Sequence, residues 1–376
     1  MSEIYLVFVV FLFVLAVFDL MVGVSNDAVN FLNSAIGAKV AKFRTIIIVA
    51  TVGVFMGATM SNGMMEVARN GVFHPAMFSL KELMFIFLAV MISDVILLDI
   101  FNNLGLPTST TVSLVFELLG GTTAFVLLKL ANDTTGLTVG DLMNTEKALG
   151  MIMAIFVSVA IAFFFGIVLQ YISRLVFTFT YKKNLKWKIG IFGGVATTAI
   201  FYFMLFKGIK SMSFVTPEIY EYIQNHTLAI LGICFLASTA IMQFLYFLKV
   251  NVFKILVLMG TFALAMAFAG NDLVNFIGVP LAGYSAYTDF AASGASDPST
   301  FMMSSLEGPA KSPMIFLVAA GAVMVFSLAT SKKAHNVIKT SVDLSRQSEG
   351  DEMFGSSKIA RVLVRFSNNT ANFFQD

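Results

Sequence analysis

Apolar residues fill long stretches of the chain, and short polar segments separate those stretches. Nine apolar runs are long enough for a helix that crosses ~30 Å of hydrocarbon. Their approximate bounds are 4–21, 45–65, 83–101, 112–130, 149–175, 189–206, 228–248, 253–270 and 313–331. The lipid core cannot satisfy open backbone polar groups, and no run shows the alternation of a membrane barrel strand. The pattern therefore predicts an all-α integral membrane protein with about nine spans.

The composition agrees with this pattern. Of 376 residues, 58% are hydrophobic and only 12% are charged, and the mean hydropathy of +0.86 is far above that of soluble proteins. The formal net charge of +2 gives no basic excess for nucleic acid. The first run follows Glu3 rather than a basic segment, and no small-residue cleavage site comes after it, so we interpret it as a retained span. We expect the lipid bilayer as a partner and no nucleic acid.

Cysteine and histidine are scarce. Cys234 is the only cysteine, and the chain has three histidines. An internal disulfide is therefore excluded, and so are most zinc and iron–sulfur ligand sets. We expect no cofactor and interpret Cys234 as a small apolar core residue.

Basic residues concentrate in alternate connections, as the positive-inside rule expects for the cytoplasmic side. With the N-terminus outside, the cytoplasmic stretches carry Lys39, Lys42, Arg44, Lys182, Lys183, Lys186, Lys188, Lys249, Lys254, Lys332, Lys333 and Lys339. The opposite stretches are neutral or acidic and carry Asp133, Asp141, Glu146, Asp289, Asp297 and Glu307. We predict a multi-pass protein of the cytoplasmic (inner) membrane with an outside N-terminus.

A six-residue motif occurs twice. Asn26-Asp27-Ala28-Val29-Asn30-Phe31 returns as Asn271-Asp272-Leu273-Val274-Asn275-Phe276, with five of six residues identical. Each copy follows an apolar span and precedes a short apolar stretch, ending near a glycine, that cannot cross the bilayer. By the predicted orientation, the two copies enter the membrane with opposite sense. This predicts an inverted repeat with discontinuous helices or re-entrant hairpins, which is typical of secondary transporters.

The repeat and the composition divide the chain into three parts. Residues 1–250 hold the first transmembrane repeat and the spans after it, and residues 251–331 begin the second repeat. Residues 332–376 are a polar cytoplasmic segment, with a helix expected along 359–366. Residues 282–312, rich in Gly, Ser, Ala and Pro, are expected to form a long external loop.

Both motifs carry the residue types of a small-cation site. An aspartate with two asparagines puts hard oxygen ligands on one helical turn, at Asn26, Asp27 and Asn30 and again at Asn271, Asp272 and Asn275. A carboxylate left unpaired at membrane depth costs at least ~2.5–3.5 kcal/mol, so two in matching positions favour a function. The alternative is that Asn26 and Asn271 only cap helices. Capping explains one polar residue in each motif, but not the repeated Asn-Asp-x-x-Asn.

Hydroxyl residues follow a proline between two apolar runs. The segment Gly105-Leu106-Pro107-Thr108-Ser109-Thr110-Thr111 ends where an apolar helix is expected from Val112. A helix N-terminus has free backbone N–H groups and the positive end of the helix dipole, so it attracts oxyanions. Proline with Ser and Thr is also an ordinary helix start. The position between the two Asn-Asp motifs favours anion binding.

Together these residues resemble the inorganic phosphate transporter (PiT) family of cation-coupled phosphate symporters. The resemblance runs from Leu20 to about Arg365 and rests on Gly23-x-Ser25-Asn26-Asp27-x-x-Asn30, Gly57-Ala58, Leu106-Pro107-x-Ser109-Thr110-Thr111 and Asn271-Asp272-x-x-Asn275-x-x-Gly278-x-x-Leu281-Ala282. It implies an inverted repeat with re-entrant hairpins and a homodimer. It also implies sodium ligands at Asn26, Asp27, Asn30, Asn271, Asp272 and Asn275. The implied phosphate contacts are Ser109, Thr110, Thr111, Asp27, Asn271 and Asp272.

Three positions depart from the family's pattern. Val112 stands where a histidine usually follows the hydroxyl residues, so a proton relay at that position is excluded. The glutamate that many members carry near Val54 is absent, and no Ser-Thr-Thr segment follows Asp272. We therefore expect an incomplete second repeat and a chain that corresponds to the N-terminal part of a longer transporter. A full phosphate site would then need the other half or a partner chain.

Other acidic residues interrupt the apolar runs. Asp19, Asp94 and Asp99 lie within predicted spans, where internal pairing and a role in the cation path are both open. Glu117, six residues after Thr111, is expected to line the same cavity as the hydroxyl residues of the Pro107–Thr111 segment.

The leading hypothesis is a sodium-coupled symporter of inorganic phosphate, with sodium ions as co-transported ligands. Sulfate in place of phosphate and protons in place of sodium are open variants, because Ser and Thr hydroxyls can donate to either oxyanion. A non-transporting membrane scaffold is an alternative of a different class. We expect no enzyme, since no span pairs a nucleophile with a general base in a recognisable motif.

Overall fold

The computed structural model describes residues 2–61, 67–132, 136–178, 181, 185–204, 216–308, 312–344, 361–362 and 364–366. Within these ranges the chain is largely helical and forms twelve α-helices. They are α1 (Ser2–Gly37), α2 (Phe43–Met60), α3 (Leu80–Leu104), α4 (Thr110–Ala131), α5 (Val139–Leu142), α6 (Thr145–Phe177), α7 (Lys188–Phe203), α8 (Pro217–Asn225), α9 (Thr227–Phe247), α10 (Val252–Ser293), α11 (Met314–Thr330) and α12 (Lys332–Leu344).

Each of the nine predicted spans coincides with a helix. Seven helices in the described ranges are long and apolar enough to cross a membrane: α1, α2, α3, α4, α6, α9 and α10. Helix α7 has 16 residues, and α11 has 17 and continues into α12 after a bend of 67°. The all-α membrane architecture is therefore confirmed. The helix predicted along 359–366 is helical at 361–362 and 364–366; its other residues lie outside the described ranges, as do Asp133, Lys182 and Lys183.

Local signals set the ends of α3 and α4. Helix α3 begins with a capping box in which the Ser79 N–H donates to Glu82 Oε2 (2.8 Å) and the Glu82 N–H donates to Ser79 Oγ (3.3 Å). It ends at Gly105, whose φ of +68° is left-handed and favours glycine. A short loop then leads to Ser109, the N-cap of α4. The loop therefore places the N-terminus of α4 inside the bundle.

Glycines allow the central helices to approach closely. A methyl group added to Gly57 in α2 would lie 2.0 Å from the Met266 carbonyl oxygen of α10, and one on Gly53 would lie 2.6 Å from the Phe262 carbonyl oxygen. Small residues four apart are typical of tight contacts between membrane helices. The most extensive helix contact in the described chain is this one, between α2 and α10. Helix α6, in contrast, is peripheral and exposes most of its apolar side chains.

Helices α1 and α10, which carry the two Asn-Asp motifs, pack against each other with opposite chain directions. Leu12 lies beside Gly283 near one end of the contact, and Gly23 lies against Phe276 nearer the other. A methyl group on Gly23 would lie 2.0 Å from Phe276 Cε1, so this approach requires glycine. The opposite directions bring the two motifs to the same depth. An inverted repeat needs such a pairing, but one helix pair does not establish the repeat, which stays a prediction.

The predicted breaks in these helices are wrong. Helix α1 runs through Asn26 to Gly37, and α10 runs through Asn271 and past Pro280 to Ser293. Neither asparagine begins a helix, so the capping alternative is also wrong. The expected loop over 282–312 is wrong for its first third, which is helical. The physical reason is packing: the apolar positions that flank each motif are buried, and an intact helix keeps their backbone groups bonded.

Helix α12 covers the end of the bundle where α1 ends. Ser25 Oγ lies 2.8 Å from Ser331 Oγ at the bend before α12, and the Ser327 hydroxyl donates to the Met21 carbonyl at 2.8 Å. Further along, Asn33 Nδ2 donates to Ser341 Oγ at 3.0 Å. Helix α12 thus closes the bundle directly beyond the first Asn-Asp motif.

Candidate functional site

The first motif fixes the loop before α4. Asn26 is fully buried, and its Nδ2 donates to Asn102 Oδ1 (2.8 Å) and to the Leu106 carbonyl (3.0 Å). Its Oδ1 accepts from the Thr108 N–H at 2.8 Å. Both amide donors and one lone pair are therefore used within the protein, so Asn26 positions the loop.

Asn102, the hydrogen-bond partner of Asn26, was not predicted from the sequence. It is fully buried at the end of α3, and its Nδ2 donates to the Val22 carbonyl at 2.7 Å. Together with Asn26 it ties α1 to α3 at the depth of the motif. The sequence feature that could have indicated Asn102 is an amide residue at the end of an apolar span, three residues before the left-handed Gly105.

A chain of hydrogen bonds joins the two motifs through the start of α4. The Thr110 hydroxyl lies 3.3 Å from Asp27 Oδ2, and Asn275 Nδ2 lies 3.3 Å from the same hydroxyl. Asn275 Nδ2 also donates to Thr111 Oγ1 (2.9 Å) and to Asp272 Oδ1 (3.3 Å). The structure thus brings Asp27, Thr110, Thr111, Asp272 and Asn275 together. We call these five residues the motif junction.

The start of α4 offers unused donors at the motif junction. Ser109 caps the helix, since its hydroxyl accepts from the Val112 N–H at 3.3 Å. The Ser113 N–H bonds to the Ser109 carbonyl at 2.9 Å. The backbone N–H groups of Thr110 and Thr111 have no acceptor in the described part of the chain. Two donors and the positive dipole end are therefore available to an anion.

The motif junction holds two buried carboxyl groups without a basic partner. Asp27 and Asp272 are 4% and 6% exposed, and no lysine, arginine or histidine of the described residues pairs with either. Two ionised carboxylates at this depth repel each other and lose their hydration. A bound cation would remove both penalties, and the carboxylate, amide and hydroxyl oxygens present are hard ligands suited to it.

Besides Asn26, three predicted site residues lie outside the motif junction. Asn30 and Asn271 are exposed, and Asn271 Nδ2 reaches only its neighbour Asp272, at 3.5 Å. Ser109 is also exposed and serves as the cap. The two motifs are therefore used unequally: the buried asparagine is the first of the pair in α1 and the last in α10.

Comparison with known families gives a match along most of the chain. The profile described as "Phosphate transporter family" matches residues 23–341. The chain belongs to the phosphate transporter family. The matched range begins at the glycine that contacts Phe276 and includes both Asn-Asp motifs and the start of α4. A search of curated proteins gives no significant match.

A solved structure shares the fold of this phosphate transporter family member. It is described as "The sodium-dependent phosphate transporter", with a TM-score of 0.65 and 18% sequence identity. The alignment covers 91% of this chain and 79% of that one. At this identity the likeness concerns the fold, and it agrees with the multi-pass helical architecture. Members of the family are transporters, so the expectation that the chain is not an enzyme is confirmed.

The other acidic residues of this family member have different surroundings. Asp99 is partly exposed and forms an ion pair with Lys333 of α12, and it also accepts from Asn103 Nδ2 at 2.9 Å. The ion pair with Lys333 therefore explains the presence of Asp99 in an apolar span. Asp19 and Asp94 have no basic partner in the described residues, and Glu117 lies with Asp94 rather than at the motif junction.

Proposed function

We propose that the chain is a sodium-coupled symporter of inorganic phosphate. The observation that carries the proposal is the motif junction, where two buried aspartates from oppositely directed helices meet the open start of α4. The family match supports phosphate as the substrate, and the name of the structural neighbour supports sodium as the coupling ion.

Phosphate would bind at the start of α4. The Thr110 and Thr111 N–H groups and the Thr111 hydroxyl are donors on consecutive residues. The Thr110 hydroxyl donates to Asp27 here and would turn to phosphate once sodium occupies that carboxylate. Hydrogen bonds to a charged group are about twice as strong as neutral ones. Sodium ions would bind to Asp27 and Asp272, with the Asn275 amide oxygen and a threonine hydroxyl as further ligands. Ligand roles for Asn26, Asn30, Asn271 and Ser109 stay predictions.

Coupling follows from charge. A phosphate dianion next to two carboxylates is repelled, and at membrane depth the repulsion is weakly screened. Sodium ions that neutralise Asp27 and Asp272 remove this repulsion and place positive charge next to phosphate. Sodium must therefore bind for phosphate to bind, and the two solutes move together.

Release requires the bundle to open at one end at a time. Helix α12 and the Ser25–Ser331 and Asn33–Ser341 contacts close the end nearest the motif junction. Movement of α12 away from α1 would open that end, while rearrangement of the repeats would open the other. By the distribution of basic residues, the end covered by α12 is the cytoplasmic one.

Reconstituted liposomes test the proposal. We expect an inward sodium gradient to drive uptake of labelled phosphate against its concentration gradient, with no such uptake when choline replaces sodium. A proton gradient without sodium serves as the comparison for the coupling ion, and labelled sulfate serves as the comparison for the substrate. Accumulation under the proton gradient alone would contradict sodium coupling. Preference for sulfate would contradict the substrate, and no transport of either anion would favour the scaffold alternative.

We also propose a membrane location, an orientation and an oligomeric state. We infer a cytoplasmic (inner) membrane protein with an outside N-terminus and a homodimer, from the basic residues and the family resemblance. Cys234→Ala gives a cysteine-free chain, because Cys234 is the only cysteine. In that chain Gly140→Cys, at an exposed position, should react with an impermeant thiol reagent added to intact cells, and Lys186→Cys should not. The reverse pattern would invert the orientation.

A further inference from the structure

Three acidic side chains meet at a second place in the bundle. Asp19 of α1 and Asp94 of α3 are 0% exposed, and Glu117 of α4 is partly buried. Ser113 of α4 lies between Asp94 and Glu117. Asp19 precedes Asp27 by about 12 Å along the helix, at 1.5 Å per residue. This carboxyl cluster of Asp19, Asp94, Ser113 and Glu117 is therefore separate from the motif junction.

The hydrogen bonds of Ser113 require a proton on a neighbouring carboxyl group. Ser113 Oγ lies 2.6 Å from Asp94 Oδ1 and 2.9 Å from Glu117 Oε1. A hydroxyl group has a single hydrogen, so it can donate to only one of these oxygens. The second contact is a hydrogen bond only if the other carboxyl group is protonated and donates to the hydroxyl oxygen. With both carboxyl groups ionised, one of these close contacts would be repulsive.

An unpartnered buried side chain independently points to a ligand. Neither oxygen of Asp19 accepts from an N–H or hydroxyl group, although the side chain is fully buried. Its neighbour at hydrogen-bond range is the carboxyl group of Asp94, and two carboxyl groups can share a hydrogen bond only if one of them is protonated. Asp94 Oδ2 and Glu117 Oε2 are also unpartnered. Asp19 faces Asp94 and Glu117 at electrostatic range. A fully buried ionised carboxylate with no donor would be strongly destabilising, whereas a neutral carboxyl group is far less so.

The charged groups around the cluster give no compensation. Asp19 is faced by Asp94, Glu117 and, at longer range, Asp27, all of which are acidic. No basic residue of the described chain forms an ion pair with the cluster: Lys129 of α4 pairs with Glu82, and Lys333 of α12 pairs with Asp99. The positive charge that the cluster needs must therefore come from a bound ion.

The geometry favours a proton over a metal ion. In the described part of the chain, no three acidic, histidine or cysteine side chains are arranged to hold a metal ion. The double contact of Ser113 also needs a proton rather than a metal. We propose that Asp19, Asp94, Ser113 and Glu117 form a proton-binding site, distinct from the phosphate site, whose occupancy keeps α1 packed against α3 and α4 and makes transport depend on pH. Its role in transport rests on the proposed function; the binding of a proton does not.

Infrared spectroscopy of the purified full chain tests the site without transport. A buried protonated carboxyl group gives a carboxylic-acid C=O stretching band, which should be present at neutral pH and disappear as the pH is raised. We expect Asp94→Asn and Glu117→Gln each to remove or reduce the band, and Ser113→Ala to shift its frequency, since the hydroxyl bond is lost. Asp99→Asn, which removes a partly exposed carboxyl group paired with Lys333 from the same helix as Asp94, is the control and should leave the band unchanged.

The variant Asp27→Asn/Asp272→Asn distinguishes the two sites. The proposal predicts that the titrating band survives in this double variant, because the carboxyl cluster is intact. A band that is lost there and kept in Asp94→Asn and Glu117→Gln would assign the proton to the motif junction and overturn the proposal. Absence of any titrating carboxylic-acid band at neutral pH would overturn it as well.

The pH profile of phosphate uptake tests the link to transport. In the unmodified chain, uptake should fall about tenfold for each pH unit above the titration of the site, because one proton is lost. Glu117→Gln, which fixes that side chain in a neutral form, should flatten this part of the profile. Phosphate itself titrates, but equally for both proteins, so the difference between them reports the site. Identical profiles would contradict the link, and the infrared result would still decide the proton site.

Discussion

Asp27→Asn and Asp272→Asn should each lower sodium-driven phosphate uptake more than about a hundredfold. Each change removes one charge at nearly constant shape from a buried carboxyl group that would hold sodium. Loss of one partner from a buried, compensated charge pair costs about 3–5 kcal/mol, which corresponds to more than a hundredfold in binding. Uptake into liposomes at a series of sodium concentrations measures the effect, and an unchanged elution profile and melting temperature would show that the fold is kept.

Asp141→Asn is the matched control for charge. Asp141 is an exposed carboxylate in α5 that accepts bonds from Thr138, outside the spanning helices. Its replacement should leave uptake within a factor of about two. If both Asp27→Asn and Asp272→Asn transported at the rate of the unmodified chain, neither carboxylate could be a sodium ligand.

Thr110→Ala/Thr111→Ala should weaken phosphate binding by about a hundredfold or more. Each hydroxyl that donates to a charged group contributes ~1.5–3 kcal/mol, and the double variant removes two while keeping the backbone N–H donors. Phosphate titration of the purified full chain in saturating sodium measures the loss. Thr110→Ser/Thr111→Ser retains both hydroxyls and should bind phosphate within a few-fold of the unmodified chain.

Ser109→Ala separates phosphate binding from helix capping. The structure assigns Ser109 to the N-cap of α4, where replacement by alanine costs ~1 kcal/mol of helix stability. Its effect on phosphate affinity should be much smaller than that of the double variant. An unchanged affinity in Thr110→Ala/Thr111→Ala would mean that the anion binds elsewhere and that this segment is only a helix start.

The architecture was predictable because membranes constrain sequence strongly. All nine apolar runs correspond to helices, since a span must be both apolar and internally hydrogen-bonded. The Asn-Asp motifs were also recognisable, because a polar sequence repeated in an apolar setting has few structural explanations. That they meet at one depth required the opposite directions of α1 and α10, which the basic residues predicted.

The side-chain details were not predictable because they depend on the rotation of each helix about its axis. Asn26 and Asn30 belong to one motif, yet the first is buried against Asn102 and the second is exposed. Local sequence gives no sign of which will face the bundle. The continuity of α1 and α10 was missed because a glycine or proline after each motif suggested a break. Helix α1 instead continues to Gly37 itself, and α10 continues past Gly278 and Pro280.

The carboxyl cluster also required tertiary structure. Asp19, Asp94 and Glu117 come from three helices, and the sequence places Asp94 and Asp99 five residues apart within one apolar run without showing which is paired. Only the packing shows that Asp99 reaches Lys333 while Asp94 faces inward. Burial of a charge and its pairing are properties of neighbours that are distant in the chain.

Binding of phosphate to the purified chain with and without sodium tests the central claim most directly. The claim is that sodium ions on Asp27 and Asp272 are required before phosphate can bind at the start of α4. Titration in choline chloride should give no measurable phosphate binding, and replacement of choline by sodium at constant ionic strength should restore it, with an affinity that increases with sodium concentration. Equal phosphate affinity in the two salts would contradict the account.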